Sequence, residues 1–119
     1  MKLLVTRRMT PAAEHALAAR FEAEFLDRED GFSEAEAARA MAEYDAVMPT
    51  LGDRFSAGAF GGDLRCRLLA NFGAGFNHID IAAAANAGIA VTNTPDAVTE
   101  ATADIALTLI LMTARRAGE

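Results

Sequence analysis

The sequence predicts a doubly wound α/β domain, a flavodoxin-like parallel sheet of about five strands with helices on both faces. Three observations predict it. Short runs of apolar residues, many of them β-branched or bulky, recur along the chain; alanine-rich helical stretches separate them; and helix-start signals stand at the joints. The 119 residues allow one hydrophobic core and not two. A hydrophobic share of 52% beside a charged share of 24% lies far from the compositions that stay disordered.

Each element has a local reason. Lys2 to Thr6 (KLLVT) reads as a first strand, after which Thr10 and Pro11 supply an N-cap and a first-turn proline for a helix to about Arg20. Phe21 to Leu26 alternates Phe21, Ala23 and Phe25 with Glu22 and Glu24, a second strand. Ser33 and Glu36 form a capping box in which each side chain satisfies the other's free backbone donor. Phe32 stands where a hydrophobic staple would, and a helix follows from Glu34 to about Glu43. Asp45 to Pro49 (DAVMP) is the third strand, and Asp53 is placed to cap a brief helix that runs to Phe60 before the Gly61–Gly62 break. Arg67 to Phe72 (RLLANF) is the fourth strand. Asp80 caps a helix through Ala82 to Ala87, which Gly88 stops in the left-handed conformation. Ile89 to Thr92 (IAVT) is the fifth strand. After Asn93, Thr94 and Pro95 a long helix occupies about Ala97 to Arg116. Glu100 and Asp104 lie toward its start and Arg115 and Arg116 at its end, which suits the helix dipole.

Charge and cysteine content narrow the function. With 11 basic and 17 acidic side chains the formal charge is −6, and neither Arg7–Arg8 nor Arg115–Arg116 forms a patch, so nucleic acid is not an expected partner. The one cysteine, Cys66, has no disulfide partner and no metal-ligand neighbour, and it reads as a packing residue in a cytoplasmic protein. The start of the chain lacks a signal-peptide pattern. The apolar run Ile105 to Ala114 falls well short of the ~20 residues needed to span a bilayer, which favours a buried helix and excludes a membrane partner.

Ligands of such sheets bind beyond the carboxyl ends of the strands, here the loops Arg7 to Thr10, Thr50 to Asp53, Gly73 to Ile79 and Asn93 to Thr99. Gly73-Ala74-Gly75 follows a strand and can present successive N–H groups to an anion such as a small carboxylate; a turn without a ligand is the plainer alternative. A dinucleotide fingerprint fails there, because His78 occupies the third glycine position and the cap Asp80 lies too far on. His78 is a loop histidine rather than an acid–base group, and His15 is structural. Arg7 and Arg8 either attract an anion or are simply solvated. A receiver domain's acidic pair after the first strand is missing, as is a flavodoxin's phosphate loop.

The stretch Asn71 to Asp80 (NFGAGFNHID), then Ala87, Gly88, Ile89 and Val91 to Asp104 (VTNTPDAVTEATAD), resembles the D-isomer-specific 2-hydroxyacid dehydrogenases, especially glyoxylate and hydroxypyruvate reductase-like members. The resemblance extends more loosely to Leu3 to Glu14 and to Pro49 to Arg54. It implies a two-lobed NAD- or NADP-dependent enzyme acting on a small 2-oxo or 2-hydroxy acid, of which residues 1–96 match the flavodoxin-like substrate lobe and 97–119 the interlobe helix. By the same resemblance the backbone N–H groups of Ala74 and Gly75 hold the substrate carboxylate and Leu51 lies beside the substrate. Thr102 approaches the cofactor, or is a helix-packing threonine. The family's GxGxxG loop and its catalytic Arg, Glu and His have no counterpart before Glu119, so no residue here is assigned as catalytic. The chain alone is expected to bind no cofactor tightly and to be inactive. Self-association through the 97–116 helix is expected. The alternative from another class is a small non-catalytic binding or assembly module that kept the fold.

Overall fold

The computed structural model describes residues 1–118. Five strands, β1 (Lys2–Val5), β2 (Glu22–Phe25), β3 (Ala46–Met48), β4 (Leu68–Ala70) and β5 (Ala90–Thr92), form one sheet in the order β2-β1-β3-β4-β5. All pairings are parallel, with Leu4 beside Glu24 and Val47, and Leu69 beside Val91. This is the flavodoxin-like order, in which the chain reverses its direction of growth between β1 and β3. The helices are α1 (Pro11–Ala18), α2 (Glu34–Glu43), α3 (Ile81–Asn86) and α4 (Thr99–Arg115), with a 3-10 turn at Ala57–Phe60.

Strand alternation assigns the two faces. Leu4, Val47 and Leu69 point to the larger core, where Phe32, Ala37, Ala40 and Met41 of the α2 region meet Phe55, Phe60, Cys66, Ile79 and Ala84. Leu3, Val5 and Ala46 point the other way, toward Leu17, Phe21 and Phe25. Edge strand β2 is half-buried at alternate positions, Ala23 and Phe25, and exposed at Glu22 and Glu24, the pattern its Glu and Phe spacing predicts. Cys66 is fully buried, and burial pushes its thiol pKa up, consistent with a packing role.

The start signals act as the sequence predicts. Thr10 accepts from the Ala13 N–H, the Ser33–Glu36 box is complete in both directions, Asp80 accepts from the Ala83 N–H, and Gly88 sits at φ +72°. Asp53 differs. It caps no helix, and the turn at Ala57–Phe60 starts after Ser56 without a side-chain cap. The Asp53 carboxylate is buried at a junction of three loops, where it accepts from the Thr6 hydroxyl at 2.6 Å, the Thr50 N–H at 2.8 Å and the Phe32 N–H at 2.9 Å. A buried carboxylate needs several donors, and the junction supplies them where a two-turn helix end would not.

The long helix is the second correction. It begins at Thr99 rather than near Ala97, and it is not buried: no described residue of α4 is, and Ile105, Leu107, Leu109, Ile110 and Leu111 are each more than half exposed. Its apolar side chains surround the axis, so no single face suffices to bury them, and the sheet offers it none. The projection lengthens the molecule to 57 × 32 × 23 Å and raises the radius of gyration to 17.2 Å, against about 13.5 Å for a compact chain of this length. No helix among the described residues is long and apolar enough to cross a membrane.

Candidate functional site

The carboxyl edge of the sheet gathers the loops after β1, β3, β4 and β5. Beyond β3 the chain continues through Thr50, which bridges Phe72 beyond β4, and turns at Gly52 with φ +100°. That turn holds Leu51 outward, 65% exposed. Arg7 donates from Nη2 to the Leu51 carbonyl at 3.3 Å, and with Arg8, Met9, Thr50, Leu51 and Phe72 it lines a concavity of about 280 Å³. The two arginines part company: Arg8 pairs with Glu14 at 2.5 Å, on the solvent side.

The loop from Asn71 to Ile79 is built from within. The buried Asn71 amide donates from Nδ2 to the carbonyls of Gly73 at 3.0 Å and Gly75 at 2.9 Å, and its Oδ1 meets His78 Nε2 at 2.9 Å. Asn93 donates to the Ala74 carbonyl at 2.9 Å, and the Ile79 N–H to that of Phe76. Among the described residues, the N–H groups of Ala74 and Gly75 donate to no protein acceptor. The glycines are not there for a left-handed turn, since neither Gly73 nor Gly75 has a positive φ. A Cβ built on Gly75 meets nothing within 4 Å, so the fold itself tolerates a side chain there. Ala74 and Gly75 open a run of backbone N–H groups, through His78, that have no protein acceptor among the described residues.

The Asn71 bonds also fix the state of His78. Because both amide protons are committed to carbonyls, Oδ1 is the acceptor and the ring donates from Nε2. His78 Nδ1 is then buried without a partner, and burial holds the imidazole pKa below its ordinary value. The ring is thereby held in one tautomer by a bond within the loop.

Three buried side-chain polar atoms lack a hydrogen-bond partner among the described residues: Arg7 Nε, Thr50 Oγ1 and His78 Nδ1. All three belong to this one edge. Folds rarely leave such atoms unpaired, and ordered water is the usual partner where protein groups supply none. Leu51, Ala74 and Gly75 share one end of the sheet, although the concavity beside Leu51 does not include the Ala74–Gly75 loop. Thr102 stands apart, exposed on α4.

The sequence points to the loop but not to Asn71 and Asn93, whose amides brace it, or to Phe72 beside Leu51. Asn71 lay hidden at the end of an apparent strand, and only three-dimensional closure of the loop shows its amide at work. The Asn93 to Val98 segment ahead of α4 has no glycine, and the helix starts without a side-chain cap. No group of three or more metal-ligating side chains occurs among the described residues.

The model of the D-isomer specific 2-hydroxyacid dehydrogenase catalytic domain matches residues 3–115. A glyoxylate reductase of Thermococcus onnurineus is 36% identical over 115 residues, covering 97% of this chain and 34% of that protein. The crystal structure of the TT0316 protein from Thermus thermophilus superposes with a TM-score of 0.85 at 36% identity, over 98% of this chain and 38% of that one. An NADPH-dependent glyoxylate/hydroxypyruvate reductase of Sinorhizobium meliloti, solved with NADP and malonate, gives a TM-score of 0.70 at 30% identity, over 94% and 34%. The chain spans about a third of the length of the curated relatives it matches. With the family match running through nearly every element from β1 to α4, the chain belongs to the D-isomer-specific 2-hydroxyacid dehydrogenase family.

Proposed function

We propose that residues 1–96 are a substrate lobe that holds the carboxylate of a small 2-oxo or 2-hydroxy acid on the N–H groups of Ala74 and Gly75. The observation that carries this reading is a strand-end loop whose N–H groups at Ala74 and Gly75 have no protein acceptor while its carbonyls are engaged, with room for a side chain at Gly75 that the fold leaves unused. Leu51 flanks the substrate, and Arg7 beneath it supplies positive charge at the same edge. In the complete enzyme this lobe serves an NAD- or NADP-dependent 2-oxoacid reductase acting on glyoxylate or hydroxypyruvate. Within 97–119, the interlobe segment, Thr102 is the residue proposed to face the cofactor.

Calorimetric titration with glyoxylate and hydroxypyruvate tests the reading. Millimolar binding that disappears in Gly75→Leu supports it; absence of binding, or binding that survives Gly75→Leu unchanged, overturns it.

The bare α4 favours a second role. Its apolar circumference supports self-association of copies through the 97–116 helix, an arrangement that a purely assembling, non-catalytic module would share. Concentration-dependent mass by light scattering checks it, and a monomer at high concentration counts against it.

A further inference from the structure

We propose that Asn71 and Asn93 are positioning residues that make the 73–76 loop selective for anions by tying its carbonyls away from the ligand side. This rests on the carboxylate-binding reading above. A backbone loop offers an incoming carboxylate both kinds of partner, and every outward carbonyl oxygen repels it. Here four successive carbonyls are engaged by the protein. Gly73 O accepts from Asn71 Nδ2 and from the Thr94 N–H, Ala74 O from Asn93 Nδ2, Gly75 O from Asn71 Nδ2, and Phe76 O from the Ile79 N–H. The N–H groups of Ala74 and Gly75 remain without protein acceptors. In a trans peptide the C=O and N–H point opposite ways, so holding the Gly73 and Ala74 oxygens toward the asparagines turns the N–H groups of Ala74 and Gly75 away from them, as in an anion nest.

The two asparagines divide the work differently. Asn71 is buried, spans both ends of the Gly-Ala-Gly turn, and is itself held by His78 through the remaining Oδ1. Its amide cannot be reversed without setting Oδ1 against two carbonyl oxygens. Asn93 reaches in from the end of β5 and is exposed, so it restrains only the middle carbonyl and its loss leaves the core untouched. A side chain that holds a carbonyl back does not touch the ligand. Its effect is on discrimination between a carboxylate and a neutral amide of the same shape, because a freed carbonyl repels the first and accepts a hydrogen bond from the second.

The test compares glycolate with glycolamide on the 119-residue chain, its Asn93→Ala variant and its Asn71→Ser variant, by amide-shift titration, with the circular dichroism spectrum recorded for each. The native chain is expected to prefer glycolate at least about tenfold, Asn93→Ala to lower that preference about threefold without altering the spectrum, and Asn71→Ser to lower it further. An unchanged preference in folded Asn93→Ala overturns the positioning role while leaving the carboxylate site standing. Should Asn71→Ser fail to fold, Asn93→Ala decides alone. Failure of the native chain to bind glycolate overturns the site and the positioning role together.

Discussion

The Thr6 hydroxyl donates to Asp53 Oδ2 at 2.6 Å, joining the end of β1 to the turn beyond β3 across 47 positions of sequence. The same carboxylate takes the backbone N–H groups of Thr50 and Phe32, so one buried side chain sets the relative height of three loops at the functional edge. Asp53→Ala strands three buried donors and is expected to destabilise the domain by about 3 kcal/mol or more. Asp53→Asn keeps two acceptor lone pairs and should lose less. Urea denaturation reads both, and a loss below about 1 kcal/mol for Asp53→Ala would remove Asp53 from its structural role.

Gly31 and Gly75 make a matched contrast. A Cβ on Gly31 would lie 1.9 Å from the Gly52 carbonyl oxygen, against backbone that cannot yield, whereas one on Gly75 meets nothing. Gly31→Ala is therefore expected to lower stability by about 2 kcal/mol or more, and Gly75→Ala to change it by under about 0.5 kcal/mol. Melting temperatures of the two variants check this. Equal shifts would contradict the assigned reason for each glycine.

Acid should weaken the fold in two separate windows. His78 in the unfolded chain takes up a proton as pH falls through its ordinary 6.5, while burial in the fold depresses that affinity. The unfolded state then binds more protons, so stability falls as pH drops below about 6.5. Glu36, held by Arg28 and the Ser33 cap, has its pKa lowered from 4.5 to about 2, so its contribution is complete above the unfolded value and is lost as pH falls through that lower range. Urea midpoints measured from about pH 8 to about pH 5 should decline less in His78→Gln, which keeps a donor for Asn71 but does not titrate. Identical slopes would contradict the neutral buried ring.

The fold was legible because each boundary carried local chemistry. Thr10, the Ser33–Glu36 box, Asp80 and Gly88 act within a turn of where they stand, and the Leu3-Leu4-Val5 alternation specifies two covered faces. Asp53 was misread because a cap and a loop-bridging carboxylate look alike in sequence: the deciding partners, Thr6 and Phe32, are remote. The apolar circumference of α4 reads as a buried helix, part of whose surface is expected to lie exposed without a second lobe, and the exposure found is complete. Apolar residues around a helix demand cover, but the pattern does not say from which chain segment it comes.

Helix α4 therefore makes a dynamic prediction. A lone helix of 17 residues with no buried side chain is marginal in water, so its amides should exchange much faster than those of β1 and β3 in the monomer. Protection should rise with concentration if copies cover the helix. Strong protection of α4 in dilute monomer would show that it packs in some way the observed exposure does not include.

Whether the Ala74–Gly75 loop is a carboxylate site is decided by a map of which backbone amides of the native chain shift during titration with glycolate. Saturable shifts centred on Ala74 and Gly75 are expected, with smaller ones at Leu51 and the Asn71 side-chain amide, and none along α4. Shifts confined to Arg115 and the end of α4, or equal shifts with glycolamide, would contradict a carboxylate site on this loop.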